Sequence, residues 1–538
     1  MRGLILIALS LPAFAQSPTL PAAPVVTVGA SQMKVLQFNW LGVPGATHYL
    51  LQYKPNASAP FAPYGNPILA PRAIAALTIP VHTFDWVNAR YKVSACNAAG
   101  CQDSAELSVQ NLMLTSIGYF KASNTDAQDS FGNTVQLSQD GSTLIVSAHE
   151  TSNATGVNGN QADNSSRGRG AVYVFRRTGS VWRQEAYLKP DVNQVNQEFG
   201  IHFQGEGAER RISVSANGSV VAVGAPGEDI GGLRAAGAVY LFARAADGSW
   251  SQTQKFQAQV PLAFDTFGMS VDLNDDGMLL KVDSRIAFPV AGTRIGATRV
   301  YRLTAGGWVL DARLTNDVDL SCKSQMTGSG IAIVFVCHDN TTFGYVLRTY
   351  RLIGAFWTRR PDFSVSSYPA AVSGNASRVA IVGSDRFGKD QLIVRAWNGR
   401  DWMVEQILDP PPGLDPETHG WGKSLAFNRN GTMLAIGSEY ASFEGAGVSD
   451  SAIPPAVPPA NADGAVYVYQ RNGSVWTFLK LVKAPNPAPV DVFGRSIAFS
   501  GNGLTLAVAA VGEDSAARGI DGDQADNSKE SSGAVYLY

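Results

Sequence analysis

Two ten-residue stretches far apart in the chain carry nearly the same polar residues: GVNGNQADNS at 156–165 and GIDGDQADNS at 519–528. In the second, Asp521, Asp523 and Asp526 are spaced so that three carboxylates could face one Ca²⁺, with backbone carbonyls and water completing the roughly six to eight oxygens the ion takes. In the first, Asn158 and Asn160 replace two of the carboxylates and only Asp163 remains, which makes a weaker site. The competing use of these residues is local, since Asn and Asp side chains readily turn back onto their own backbone. Two acidic pairs, Glu228-Asp229 and Glu513-Asp514, recur just after apolar runs, and with Glu439 and Tyr440 they form a candidate rim for a ligand. Solvated loop carboxylates are the plainer account of such pairs.

The face that these loops share is also expected to carry His149, His338 and His419, which with Glu439 or Tyr440 could act as general acid and base in a glycan lyase or hydrolase. These residues come from separate segments, and the sequence shows neither a G-x-S-x-G nor an H-E-x-x-H motif near them. No catalytic residue is assigned, and a non-catalytic binding or surface-interaction role is the preferred expectation, with a glycan-degrading enzyme as the alternative.

Four cysteines fall into two close pairs, Cys96 with Cys101 and Cys322 with Cys337. Zinc fits poorly, because neither pair has knuckle spacing and no histidine stands in a matching position. Disulfides fit an exported chain, and a hairpin turning at 327–330 would set Cys322 opposite Cys337. The N-terminus agrees: MRGLILIALSLPAFA has a basic start, an apolar run and an Ala13-Phe14-Ala15 cleavage pattern, so residues 1–15 are expected to be a signal peptide cut after Ala15. The mature protein is expected in the periplasm or outside the cell.

Composition narrows the partners. With 45% hydrophobic and 16% charged residues the chain is too apolar to be mainly disordered. Its 42 Lys and Arg against 44 Asp and Glu give no basic excess for phosphate neutralisation, so nucleic acid is not an expected partner. No apolar run reaches membrane-span length. The chain is taken as a monomer whose ligand is a protein or a glycan of unknown identity.

The elements that must position these loops are strands. Residues 20–112 contain VLQFNW, HYLLQY, AALTIP and ARYKVSAC at the spacing of a small β-sandwich. With Trp40 in an early strand and Tyr91 opening a late one, this segment resembles a fibronectin type III domain, which implies a spacer or accessory module. From Phe131 onward a unit recurs: an FG pair, an Asp/Asn-Gly turn, an apolar strand, a loop, GAVY and then a Trp. Clear copies begin at Phe131, Phe199, Phe267, Trp421 and Phe493, and the gap between Phe267 and Trp421 holds two degenerate copies, IAIVFVC with VLRTYRL and RVAIVG with LIVRAW. Seven units of four strands predict an all-β, seven-bladed β-propeller over 113–538. The last unit stops at its third strand, so the segment 117–123 is expected to supply the fourth and close the ring.

These units resemble the FG-GAP repeats of integrin-α-type propellers in their secreted bacterial variant, most literally where Phe199-Gly200 is followed by Gly224-Ala225-Pro226. The resemblance implies a secreted, adhesion-like propeller with calcium loops, yet the turns QDGS, NDDG and NRNG lack that family's calcium pattern. In such a ring the long loops, 149–169, 226–236, 440–463 and 511–532, lie on one face and in consecutive units. That face is the expected binding surface.

Overall fold

The computed structural model describes residues 18–165, 170–202, 210–287, 294–315, 320–339, 344–365, 370–384, 390–452 and 462–538. The leader expected at 1–15 and part of the loop 440–463 lie outside them. The architecture is all-β, and the chain divides into two compact units.

The first unit comprises Met1–Ser31, Val35–Ile79 and Phe84–Met113. One of its sheets orders Val26–Gln32, Val35–Trp40 and Ile74–Thr78, and the other pairs His48–Lys54 with Arg90–Asn97 and Gly100–Asp103. Alternating side chains build its core: Phe38 meets Tyr91 with ring centroids 4.9 Å apart, and Trp40 meets Tyr49 edge-on at 5.2 Å. Cys96 and Cys101, partners across the hairpin, are joined by a disulfide.

The second unit comprises Gln32–Lys34, Pro80–Thr83 and Leu114–Tyr538. Among its described residues are seven successive antiparallel sheets, each with a four-stranded core. The first runs through Val135–Leu137, Thr143–Ala148, Ala171–Thr178 and Val181–Leu188 in chain order. Its second strand is buried at every residue, because a sheet with a sheet on each side has no solvent face. The first strands of the seven sheets contact one another in a cycle, from Val135–Leu137 through Ile212–Val214, Ser270–Leu273, Leu320–Met326, Ala370–Val372, Trp421–Phe427 and Phe493–Phe499 back to the start. A closed cycle of such sheets is a β-propeller. The last sheet is completed from the other end of the chain: Gly118, Tyr119 and Phe120 pair with Leu537, Tyr536 and Val535.

The recurring motif residues act between sheets. Glycines of the GAVY segments, Gly170, Gly237, Gly464 and Gly533, press on the FG phenylalanine of the next sheet, where an added Cβ would run into the carbonyl oxygens of Phe199, Phe267, Phe493 and Phe131 respectively. Backbone bonds cross three of these junctions: the amides of Phe131, Phe267 and Phe493 donate to Ser532, Ala236 and Asp463 at 2.9, 3.1 and 3.1 Å. The phenylalanine rings then fill the sheets they enter, Phe131 against Tyr173 at 5.4 Å and Phe199 against Tyr240 at 5.7 Å. Burying such a ring contributes about 1.5–3 kcal/mol.

The recurring tryptophans tie the outer strands in the same direction. Trp250 Nε1 donates to Glu185 of the preceding sheet at 3.0 Å, Trp357 to Asp311 at 3.2 Å, Trp402 to Thr349 Oγ1 at 2.9 Å and Trp476 to Glu405 at 2.9 Å. The fourth sheet, which lacks the FG and GAVY residues, carries a covalent link between cross-strand partners, the disulfide Cys322–Cys337.

Replacing Gly533 with alanine sets a Cβ against Phe131 at a residue with φ of 79° and should cost about 3 kcal/mol. Gly179→Ala, at φ of 62° but with open space around it, should cost only about 1 kcal/mol. Urea unfolding of both variants checks this; equal costs would show that the junction is not tightly closed.

Candidate functional site

The two echoing loops have a shared structural role at the sheet edges. In the first sheet, Gly156 and Asn158 run along the outer strand: Asn158 N–H donates to the Tyr187 carbonyl at 2.8 Å, and Lys189 N–H donates to Gly156 at 2.9 Å. In the last sheet, Asp521 N–H donates to the Tyr119 carbonyl at 2.8 Å and Lys121 N–H to Gly519 at 2.7 Å. The sixth sheet does the same with Gly447 and Val448, where Lys483 N–H donates to Gly447 at 2.8 Å and Val448 pairs with Val482. Each loop therefore lays a short fifth segment over an outer strand that would otherwise expose unpaired backbone groups.

The candidate calcium ligands also accept hydrogen bonds from the backbone. Asn158 Oδ1 accepts from Tyr187 N–H at 2.9 Å and Asp521 Oδ1 from Tyr119 N–H at 3.2 Å, each ending an edge ladder. Asn160, Asp163 and Asp523 each accept from the amide two residues on, at 3.1, 2.8 and 2.9 Å. Asp526 accepts from Ser528 N–H at 3.0 Å and Ala516 N–H at 2.9 Å. Among the described residues no three His, Cys, Asp or Glu side chains are grouped to hold a metal.

The carboxylates of the expected acidic rim are drawn inward. Glu228 and Glu513 are buried, and so is Glu439. Glu513 takes the Tyr119 hydroxyl and the Lys121 ammonium, both at 2.7 Å. Glu228 takes the Tyr240 hydroxyl at 2.8 Å, Gln197 Nε2 at 2.6 Å and Lys255 at 2.6 Å. In the first sheet Glu150, which the sequence did not single out, accepts from Tyr187 and Asn124 at 2.5 and 2.8 Å. Burying a carboxylate demands such partners; a Lys of the outer strand and a Tyr of the outer or third strand supply them. Glu439 pairs with Arg495 at 3.0 Å. Asp229 and Asp514 brace their own loops, accepting from Ala235 and Ser531 amides at 2.8 and 2.7 Å. Of the six, Tyr440 offers an exposed ring, at 40%.

The candidate histidines stay apart. His149 Nε2 is 3.0 Å from Asn133 Nδ2 and 3.2 Å from the His202 carbonyl, and burial holds its pKa below the usual value. His419 ends the short helix Pro416–His419 with Nδ1 2.9 Å from the Asp415 carbonyl. His338, on the strand Ala332–Asp339, has its ring 4.9 Å from that of Tyr345.

What the closed ring brings together is a cavity of about 270 Å³ at the seam of the last and first sheets. It is lined by the segment 123–126, by Gln161, Ala162 and Asn164 of the first loop, and by Arg518 and Lys529 of the last. Asp126 anchors it, accepting from Lys529 Nζ at 2.6 Å and Asn164 Nδ2 at 2.7 Å. The Lys529 bond chiefly holds the Asp126 carboxyl below its ordinary pKa. Gln161 Oε1 accepts from Ser123. None of Asp126, Gln161, Asn164, Arg518 and Lys529 stood out in the sequence as a site residue, although the QADN shared by both loops marked the region.

No family model matches the chain, and neither does any curated protein. Solved structures similar to it include a periplasmic gluconolactonase from Pseudomonas aeruginosa, at 12% identity over 82% of this chain and 97% of that one with a TM-score of 0.37. The β-propeller domain of the trilobed protease from Pyrococcus furiosus shows 10% identity over 72% and 91%, TM-score 0.38. Sqt1 from Chaetomium thermophilum shows 11% over 73% and 82%, TM-score 0.39. At these values the likeness carries nothing about activity.

One electrostatic feature of the junctions is measurable. Asp129 and Asp491, each two residues before an FG phenylalanine, are pushed up to about 7 and about 8, by burial first and by the charges of Glu150 and Glu513 besides. In the second sheet the same position is Gln197, a neutral donor to Glu228. An unfolded Asp titrates near 3.9, so between about pH 4 and pH 8 the native state holds protons that the unfolded chain has lost. Their stabilisation is complete below about pH 4 and falls away as pH rises through about 7 and 8. Asp129→Asn and Asp491→Asn should each gain about 2 kcal/mol over the wild type at pH 9 and nothing at pH 4. Denaturation midpoints with identical pH dependence in variants and wild type would contradict this.

Proposed function

We propose that the chain is an exported, non-catalytic binding protein: a seven-bladed FG-GAP-type propeller preceded by a fibronectin type III-like sandwich. Its ligand, a glycan or a protein presented outside the cytoplasm, meets the long-loop face, and the seam cavity between the last and first blades is the focus of that face. The two disulfides support export, since such bonds persist in oxidising compartments. The observation that supports the binding reading is the seam cavity itself, a concave site of mixed polar and apolar surface held by two loops whose backbones are pinned to sheet edges. The acids and histidines that could have served an enzyme are bonded internally and dispersed over different blades.

The mature protein, residues 16–538, should bind selected members of a glycan and extracellular-protein array and leave polysaccharides uncleaved in a reducing-end assay. Gln161→Ala with Asn164→Ala should weaken that binding at least tenfold without lowering the melting temperature. Cleavage lost in Glu439→Gln would replace this reading with the glycan-degrading enzyme. Binding indifferent to the double variant would move the site away from the seam.

A further inference from the structure

We propose that the seam cavity takes a single uronic-acid unit of a glycan, its carboxylate on Arg518 and its hydroxyls on the surrounding amides; this rests on the binding reading above. The inference comes from accounting for donors and acceptors in the cavity wall. The Asp126 carboxylate is spent, accepting from Lys529, Asn164 and the Ala127 amide, and its charge offsets that of Lys529. Gln161 has its carbonyl oxygen occupied by Ser123 and, at 3.4 Å, by Gln184. What stays unspent among the described residues is mostly donors: the N–H groups of the Arg518 guanidinium, whose charge Asp126 also feels, the Gln161 amide N–H groups and the remaining protons of Lys529. Two cations, Arg518 and Lys529, share the single Asp126 carboxylate, which leaves one positive charge over, and the planar fork of Arg518 N–H groups can bind one carboxylate bidentately.

The rest of the wall selects what carries that carboxylate. Apart from Ala162, the cavity is lined by hydroxyl, amide and charged residues. About half of the wall surface is nonetheless apolar, from side-chain stems and Ala162, and a sugar ring matches such a mixed wall, with C–H faces to pack on it and hydroxyls that can donate to Asn164 Oδ1 and accept from Gln161 Nε2. A volume of about 270 Å³ falls just under the range of roughly 300–1,000 Å³ typical of drug-sized ligands, which suits one pyranose ring. An inorganic anion would engage Arg518 and leave most of that space unfilled.

Calorimetric titration of the mature protein with glucuronate, galacturonate, glucose, galactose, acetate and phosphate at fixed ionic strength tests this. At least one uronate should bind ten times more tightly than the matching neutral hexose and than acetate or phosphate. Arg518→Gln should lose at least tenfold in uronate affinity with an unchanged melting temperature, and Arg518→Lys should recover only part of it. Neutral hexoses binding as well as uronates, acetate or phosphate binding as well as uronates, or Arg518→Gln binding normally would each overturn the assignment. If a neutral sugar still binds and Gln161→Ala with Asn164→Ala abolishes it, only the ligand class is wrong. If no probe binds and the array is blank, the binding reading falls with it.

Discussion

The second unit depends on places where the backbone of one sheet touches the backbone of the next with no room for a Cβ. At Gly170, Gly237, Gly464 and Gly533 the chain reaches the FG phenylalanine of its neighbour closely enough to leave only a hydrogen atom between them. That constraint accounts for the glycine of GAVY, for the phenylalanine that fills the neighbouring sheet, and for the near-constant distance between them along the chain. It also fixes what the last sheet must do. Gly533 meets Phe131, the first phenylalanine of the series, so the junction that closes the ring is built like the others. The Trp-to-acid bonds repeat the tie farther out, at the rim of the sheets.

Much of this was legible because it is periodic. Apolar strands such as Leu506–Ala510, buried at every residue, announce a sheet covered on both sides, and the segment Gly118–Phe120 stands in the same relation to Phe131 as Tyr187 and Leu188 do to Phe199. Cys322 and Cys337 sit equally far from their turn, which is why their pairing could be read from spacing. The site was less legible, for a physical reason. Glu228 and Glu513 look like loop carboxylates in the sequence because their partners, Tyr240 and Tyr119, lie on other strands. Likewise nothing near Asp521 in the sequence shows that one of its oxygens ends a ladder on Tyr119. Polar residues declare their type in a sequence, but their partners are set by the fold.

The fold and the candidate site are linked through the seam. Arg518 and Gln161 are more than three hundred residues apart in the chain, and the cycle of sheets sets them around one cavity. The fifth segments at Gly156–Asn158 and Gly519–Asp521 protect the sheet edges and, by pinning both loops, hold the cavity walls in place. Preorganised walls reduce the ordering cost of binding, so in the proposed binding role one device would serve both stability and recognition.

The central claim is that the closing junction is as tight as those formed within the continuous repeats. Native-state hydrogen exchange of the Phe131, Phe267 and Phe493 amides tests it most directly, since each donates to the preceding sheet and exchange reports the free energy of opening. The account predicts that all three exchange with the same opening free energy, close to that of global unfolding. Phe131 exchanging orders of magnitude faster than the other two, together with the Gly118–Phe120 strand, would show a ring that opens at its seam and would contradict it.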